Sequence, residues 1–258
     1  GYYFFLIDDL NKLLQWLKRI LILYLIWMSF YISFWWSTTS VVENIKSLFW
    51  GYFVIWYLVG TLFSGLILYF FRKQRSTIQF VAALLTFLTG YTIQTLGNLH
   101  IFHGGMDSFL NETRNYRNFL LMCFPFMMLG FLVNKHKLEV KISIKFSIII
   151  FSLGLLIIES LINYYFINKK ESLDIVFSLF LVAPAIFIYT ANKKFYTRTK
   201  SLGTLSTGIY LIHPIVMFEL AKKINESNTI SFTAFVLLLS VFLGYLLTLV
   251  NKKLKYLL

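Results

Sequence analysis

A histidine, His213, stands inside the apolar run GIYLIHPIVMF, about eleven residues or roughly 16 Å along a helix from the cytoplasmic end of its span. An ionisable side chain at that depth is costly in a membrane and points to catalysis or substrate contact. The plainer alternative is a polar anchor at the kink made by its neighbour Pro214, bonded within the helix bundle. A second group is TRNYRN at 113–118, where the guanidinium of Arg114 could hold a phosphate, a carboxylate or a developing oxyanion through its fork of donors. Arg117 fits headgroup snorkelling better. Lys18 and Arg19, in LKRILILYLIW, could receive donor phosphates or could simply mark the cytoplasmic end of a span. Trp56 and Tyr57 fall in the middle third of a long apolar run, where packing between helices is the usual role. His100, His103 and Asp107 in NLHIFHGGMD suit a solvated or acceptor-lining loop, since no helical pattern gathers them into a metal site. Glu159, a carboxylate inside a run, reads as a hydrated group near the outer interface.

These residues sit in a chain of 258 residues that is 58% hydrophobic and 14% charged, with mean hydropathy +0.72. Soluble domains average roughly a quarter charged residues, so a soluble fold is excluded. The single cysteine, Cys123, rules out an internal disulfide and a cysteine-based zinc site. Apolar runs near 20–36, 48–71, 77–99, 115–133, 144–166, 175–191, 202–220 and 230–250 predict eight complete spans in an all-α polytopic transmembrane bundle forming one integral domain. The 115–133 run is apolar only from Phe119, so its helix is expected to begin near Thr113. Continuous apolarity argues against an outer-membrane barrel.

Alternating the loops places 17 Lys and Arg on one side and 7 on the other, which assigns residues 8–19 and the C-terminal tail to the cytoplasm. Most of the +13 net charge is therefore a topology signal. The segment RKQR lacks interleaved aromatics and lies between spans, so no nucleic-acid partner is expected. GYYFF at 1–5 then reads as the cytoplasmic end of an earlier helix, and a parent of about ten spans is expected. Pro125, Pro184 and Pro214 fall within spans and should leave the carbonyls of Leu121, Phe180 and Tyr210 without their usual helical partner.

SLGTLSTGIYLIHPIV resembles the penultimate helix of the membrane-bound acyltransferase 3 family, and TRNYRNFLLMCFPFMMLGFLV is similar to that family's Arg-Asn helix ending in Phe and Gly. GYYFF followed by LKRILILYLIW looks like its Ser-Gly-Tyr segment and the basic start of its third helix, and IWYLVGTLFSGLIL looks like its Trp-Tyr-Leu helix. The resemblance implies transfer of an acyl group, usually acetyl from cytoplasmic acetyl-CoA, to a hydroxyl of a cell-surface glycan or lipid-linked sugar, in a bacterial cytoplasmic membrane, with no metal. It also implies an upstream helix carrying the family's catalytic His, so that the segment alone is expected to be an N-terminally truncated and inactive piece. On this basis Arg19 would bind donor phosphates, Arg114 would position the acceptor or stabilise charge, and His213 and Tyr210 would shape the core. The family's second arginine, three residues after Arg19, is Ile22 here. Two other readings are a transporter or flippase of an envelope intermediate, and a catalytically inactive membrane module. No paired repeat of the halves supports transport.

Overall fold

The computed structural model describes residues 1–193, 201–222, 229–254 and 256–258, and it contains no strand among these described residues. Lys194, Arg198, Lys200, Lys223, Glu226 and Lys255, which enter the charge tally, lie outside them. Within apolar runs of this length a helix is the structure that bonds every backbone group inside its own segment. Among the described residues seven helices are long and apolar enough to cross a membrane: Leu10–Phe30, Phe53–Phe71, Ser76–Asn98, Phe119–His136, Phe146–Ile167, Leu202–Ala221 and Ile230–Asn251. The remaining predicted run, 175–191, is covered by the 14-residue helix Leu179–Asn192 and by buried Ile175 and Val176 before it.

Local capping moves three boundaries away from the sequence expectation. The first long helix starts at Leu10 rather than near residue 20 because the Asp9 carboxylate accepts the backbone N–H of Lys12 at 2.7 Å. Arg19 therefore lies well inside this helix and not at its entrance. The run at 48–71 is broken at Gly51, whose φ of 80° is open to glycine and strained for other residues. Before it runs a separate helix, Val41–Trp50, capped by the Ser40 hydroxyl; after it comes the span, with Trp56 and Tyr57 in its first turns and not its middle. At 115–133 the helix begins at Phe119, not near Thr113. The Asn118 side chain accepts from the N–H groups of Leu120 and Leu121, both at 3.0 Å, and a π turn over Phe119–Cys123 leads into Pro125 in the first turn of Phe124–His136. Thr113–Tyr116 is a short helix of its own, so Arg114 stands off the span.

The chain forms two compact units. The unit of residues 1–14 and 60–195 is built on the Ser76–Asn98 and Phe124–His136 helices, with Phe87 and Phe180 stacked at a centroid distance of 4.9 Å and Met128 fully buried. Arg72 fastens its first residues by donating to the carbonyls of Ile7 and Asp8. The unit of residues 15–59 and 196–258 carries the Leu202–Ala221 and Ile230–Asn251 spans. These two helices touch backbone to backbone at Gly208 and Gly244. A Cβ on Gly244 would come within 2.9 Å of Ile209 Cγ1, so the approach depends on small residues, as helix pairs in lipid often do.

Candidate functional site

In the unit of residues 15–59 and 196–258, Pro214 removes the N–H that the Tyr210 carbonyl would have accepted. His213 Nδ1 lies 2.8 Å from that oxygen and 3.3 Å from the Ile209 carbonyl. Bonding to a carbonyl requires the hydrogen on Nδ1, which leaves Nε2 as the acceptor of the neutral ring. The next carbonyl, Leu211, accepts the Tyr31 hydroxyl at 2.8 Å, and Tyr31 is fully buried. Protein groups therefore satisfy the kink that the sequence left open. The kinked turn sets Tyr210 between Tyr57 and His213, with centroid distances of 6.2 and 6.0 Å, and the Tyr210 hydroxyl donates to the Val54 carbonyl at 2.8 Å.

Two clefts open beside this turn. One, of about 490 Å³, is lined by Leu23, Tyr57, Leu58, Ser206, Thr207, Tyr210 and Leu211. The other, of about 230 Å³, is lined by Trp16, Arg19, Ile20, Leu23, Thr207, Tyr256 and Leu258. Leu23 and Thr207 belong to both, so the clefts adjoin. Trp16, Arg19, Ile20 and Leu23 recur at helical spacing and share one face of the Leu10–Phe30 helix. Arg19 is exposed, and among the described residues no carboxylate pairs with it. The structure thus brings Arg19 and Tyr210 to one pair of adjoining clefts and sets His213 one turn beyond. Tyr256 and Leu258 were missed from the sequence, because nothing local marks a tail residue as belonging to a helix more than two hundred positions away.

Arg114 belongs to the other unit, where its guanidinium lies 3.5 Å from Glu112 and is about one third exposed. Arg117, for which a headgroup contact was expected, pairs with Asp174 at 3.2 Å. The irregular chain that carries Asp174 is held by amides. Gln94 Oε1 accepts from the N–H groups of Asp174 and Ile175 at 2.9 and 2.8 Å, and Gln94 Nε2 donates to the Ile175 carbonyl at 2.8 Å. Glu159, expected to be hydrated, instead accepts from the N–H groups of Phe177 and Ser178 at 2.6 and 2.7 Å and anchors the entry to Leu179–Asn192. A lone amide or carboxylate within an apolar run was the available signal for both.

His100 lies in the left-handed region, φ 48°, with Nδ1 3.0 Å from Asp107 and Nε2 3.6 Å from Glu171. His103 is exposed outside this cluster. Among the described residues no three His, Cys, Asp or Glu side chains gather into a metal-sized group. The hydrogen bond to Asp107 raises the His100 pKa above the ordinary 6.5, with the Asp107 and Glu171 charges adding to it. A raised folded pKa gives stability that is complete below the unfolded value and lost as pH rises through the folded one. Amides of Gly105–Asn111 should therefore show higher protection factors, corrected for the intrinsic base-catalysed exchange rate, at about pH 5 than at about pH 8. Hydrogen exchange measures this, and His100→Gln should flatten the difference; equal protection at both pH values would refute the latch.

No curated protein and no solved structure matches the chain. Residues 3–249 match the acyltransferase 3 family, described as an acyltransferase domain. That match takes in the Arg19 cleft walls at residues 16–23, the Tyr57 turn, Arg114 and the His213–Pro214 kink, in a chain of apolar helices of membrane-spanning length. The chain thus belongs to the acyltransferase 3 family of multi-pass membrane acyltransferases.

Proposed function

We propose that this protein transfers an acyl group, acetyl being the simplest, from an acyl-CoA on the cytoplasmic side to a hydroxyl of a cell-surface carbohydrate or lipid-linked sugar, in a bacterial cytoplasmic membrane. The observation that carries the reading is the Arg19 cleft, a cationic cleft that shares the walls Leu23 and Thr207 with the mostly apolar cleft under Tyr210. A CoA thioester has the same order of parts: phosphates first, then a long neutral arm, then the acyl group. Helical rise supports the fit. Arg19 to Leu23 spans about 6 Å and Thr207 to His213 about 9 Å, so a charge bound at Arg19 leaves the reacting carbon well inside the membrane.

The hydroxyl must attack the thioester carbon, lose its proton to a base, and pass through a tetrahedral oxyanion before the thiolate leaves. In this scheme Arg19 binds donor phosphate, while Tyr210 and Tyr57 form the wall beside the acyl end. His213 is a positioning residue that holds the Tyr210 carbonyl at the kink. Arg114 is assigned to the acceptor, where its donors suit a sugar-linked phosphate or carboxylate.

The test is acyl transfer and CoA binding by the full-length protein in membranes or nanodiscs. Arg19→Ala should weaken CoA binding by roughly tenfold to a hundredfold, the worth of a charge-assisted hydrogen bond, with normal protein level. Arg114→Ala should reduce transfer while leaving CoA binding unchanged. Comparing O-acyl signals of surface glycans by NMR with and without the gene identifies the acceptor. Unchanged CoA binding in Arg19→Ala, or altered solute uptake with unchanged glycans, would sink the proposal.

A further inference from the structure

The segment after the Ile230–Asn251 helix folds back on its own unit. Asn251 Oδ1 accepts the N–H groups of Leu257 and Leu258 at 3.2 and 3.0 Å. Trp27, 1% exposed, donates its indole N–H to the Leu257 carbonyl at 2.9 Å. Leu257 and Leu258 are buried, and Leu258 lines the Arg19 cleft. Tyr256 lies immediately before these anchors. Leu257, which follows it, is held from two sides, yet Tyr256 itself is 56% exposed and lines the same cleft as Trp16 and Arg19.

A spanning helix leaves aromatic rings exposed because lipid covers them, but Tyr256 stands in a turn beyond the Ile230–Asn251 helix, in the cleft that Arg19 also lines. The bonds of Asn251 and Trp27 fix the backbone just after this ring, and packing of the tail is already served by Leu257 and Leu258. An open aromatic face beside a cation matches a ligand with an anionic group and a flat ring together. A nucleotide has both, and every heteroaromatic base offers a π face for stacking.

We propose that Tyr256 is a binding residue of the donor site, stacking on the heteroaromatic base of a CoA-type nucleotide whose phosphate lies on Arg19. The inference rests on the donor reading of the Arg19 cleft and adds to it the base subsite and the tail that builds it. An anionic lipid headgroup offers the same phosphate to Arg19 but has no base, so the two sources respond differently to loss of the ring.

The experiment measures equilibrium binding of free CoA and of 4′-phosphopantetheine, which keeps the arm and one phosphate and lacks the adenosine 3′,5′-bisphosphate, to the full-length protein in phosphatidylcholine nanodiscs. Tyr256→Ala should weaken CoA binding about threefold to tenfold, the range of an aromatic stacking contact, and leave 4′-phosphopantetheine unchanged. Tyr256→Phe should bind CoA like the parent, because the ring and not the phenol is used; it also serves as the control for folding. Equal weakening of both ligands by Tyr256→Ala, or none of CoA, would overturn the base subsite while an Arg19→Ala defect left the donor reading standing. If Arg19→Ala leaves CoA binding intact and instead abolishes binding to phosphatidylglycerol vesicles, both the donor reading and this inference fall.

Discussion

Replacing Gln94 by leucine should lower the thermal midpoint of the detergent-solubilised protein by of order 10 °C. The side chain is 1% exposed and supplies three bonds to one stretch of irregular backbone: it accepts from Asp174 and Ile175 and donates to Ile175. Leucine has similar bulk and fills the space, so the loss is polar and not steric. Each buried backbone group left without a partner costs about 1–3 kcal/mol, and three of them together exceed about 3 kcal/mol. No neighbouring helix can take over, because helical backbone is already bonded within its own segment. Gln94→Glu should fall between, since the carboxylate keeps both acceptor bonds and loses the donor. Scanning fluorimetry reads the midpoint, and limited proteolysis should show cleavage between residues 168 and 178 in Gln94→Leu alone. An unchanged midpoint would mean that the chain around Asp174 is held by something other than this amide.

His213→Leu should lower acyl transfer by about tenfold or more and cost about 1–3 kcal/mol of stability, because the Tyr210 carbonyl at the Pro214 kink loses the Nδ1 donor that lies 2.8 Å away and stands in for the missing N–H. His213→Asn separates positioning from chemistry at the ring. The Asn amide nitrogen occupies nearly the place of His Nδ1 and can donate to the same oxygen, but it offers nothing at the place of Nε2. If the ring acts by holding the turn under Tyr210, His213→Asn recovers most of the stability and most of kcat/KM. A stable His213→Asn protein with no transfer would instead assign Nε2 a direct part in the reaction and would overturn the positioning role. Tyr31→Phe tests the neighbouring half of the kink, since it removes the hydroxyl on the Leu211 carbonyl and leaves His213 in place.

Existence and type of the helices were legible because an apolar run of about twenty residues has one good solution in lipid. Their ends were not. Asp9, Ser40, Asn118 and Thr229 cap helices through one or two side-chain bonds each, and a cap is decided by where the chain turns, which hydropathy does not record. The break at Gly51 was equally hidden, since a glycine inside an apolar run is compatible with a continuous helix and with a stop. Glu159 and Gln94 were visible as polar residues in apolar surroundings, but a costly group announces only that it has a partner. Which backbone it holds depends on residues up to about eighty positions away in sequence.

The sequence by itself determined that this chain is an all-helical membrane protein, and its ordered motifs around Arg19, Trp56, Arg114 and His213 carried the family. Those properties are written in composition and in residues close along the chain. Only the tertiary structure decided that His213 bonds the carbonyl freed by Pro214, that Arg117 belongs to Asp174, and that Arg19, Thr207 and Tyr256 wall one cleft. The two polar pairings are favoured by desolvation, and the cleft follows from how the helices pack. A buried polar group must find whatever partner the packed helices bring within reach, and the order of residues along the chain does not say which one that is.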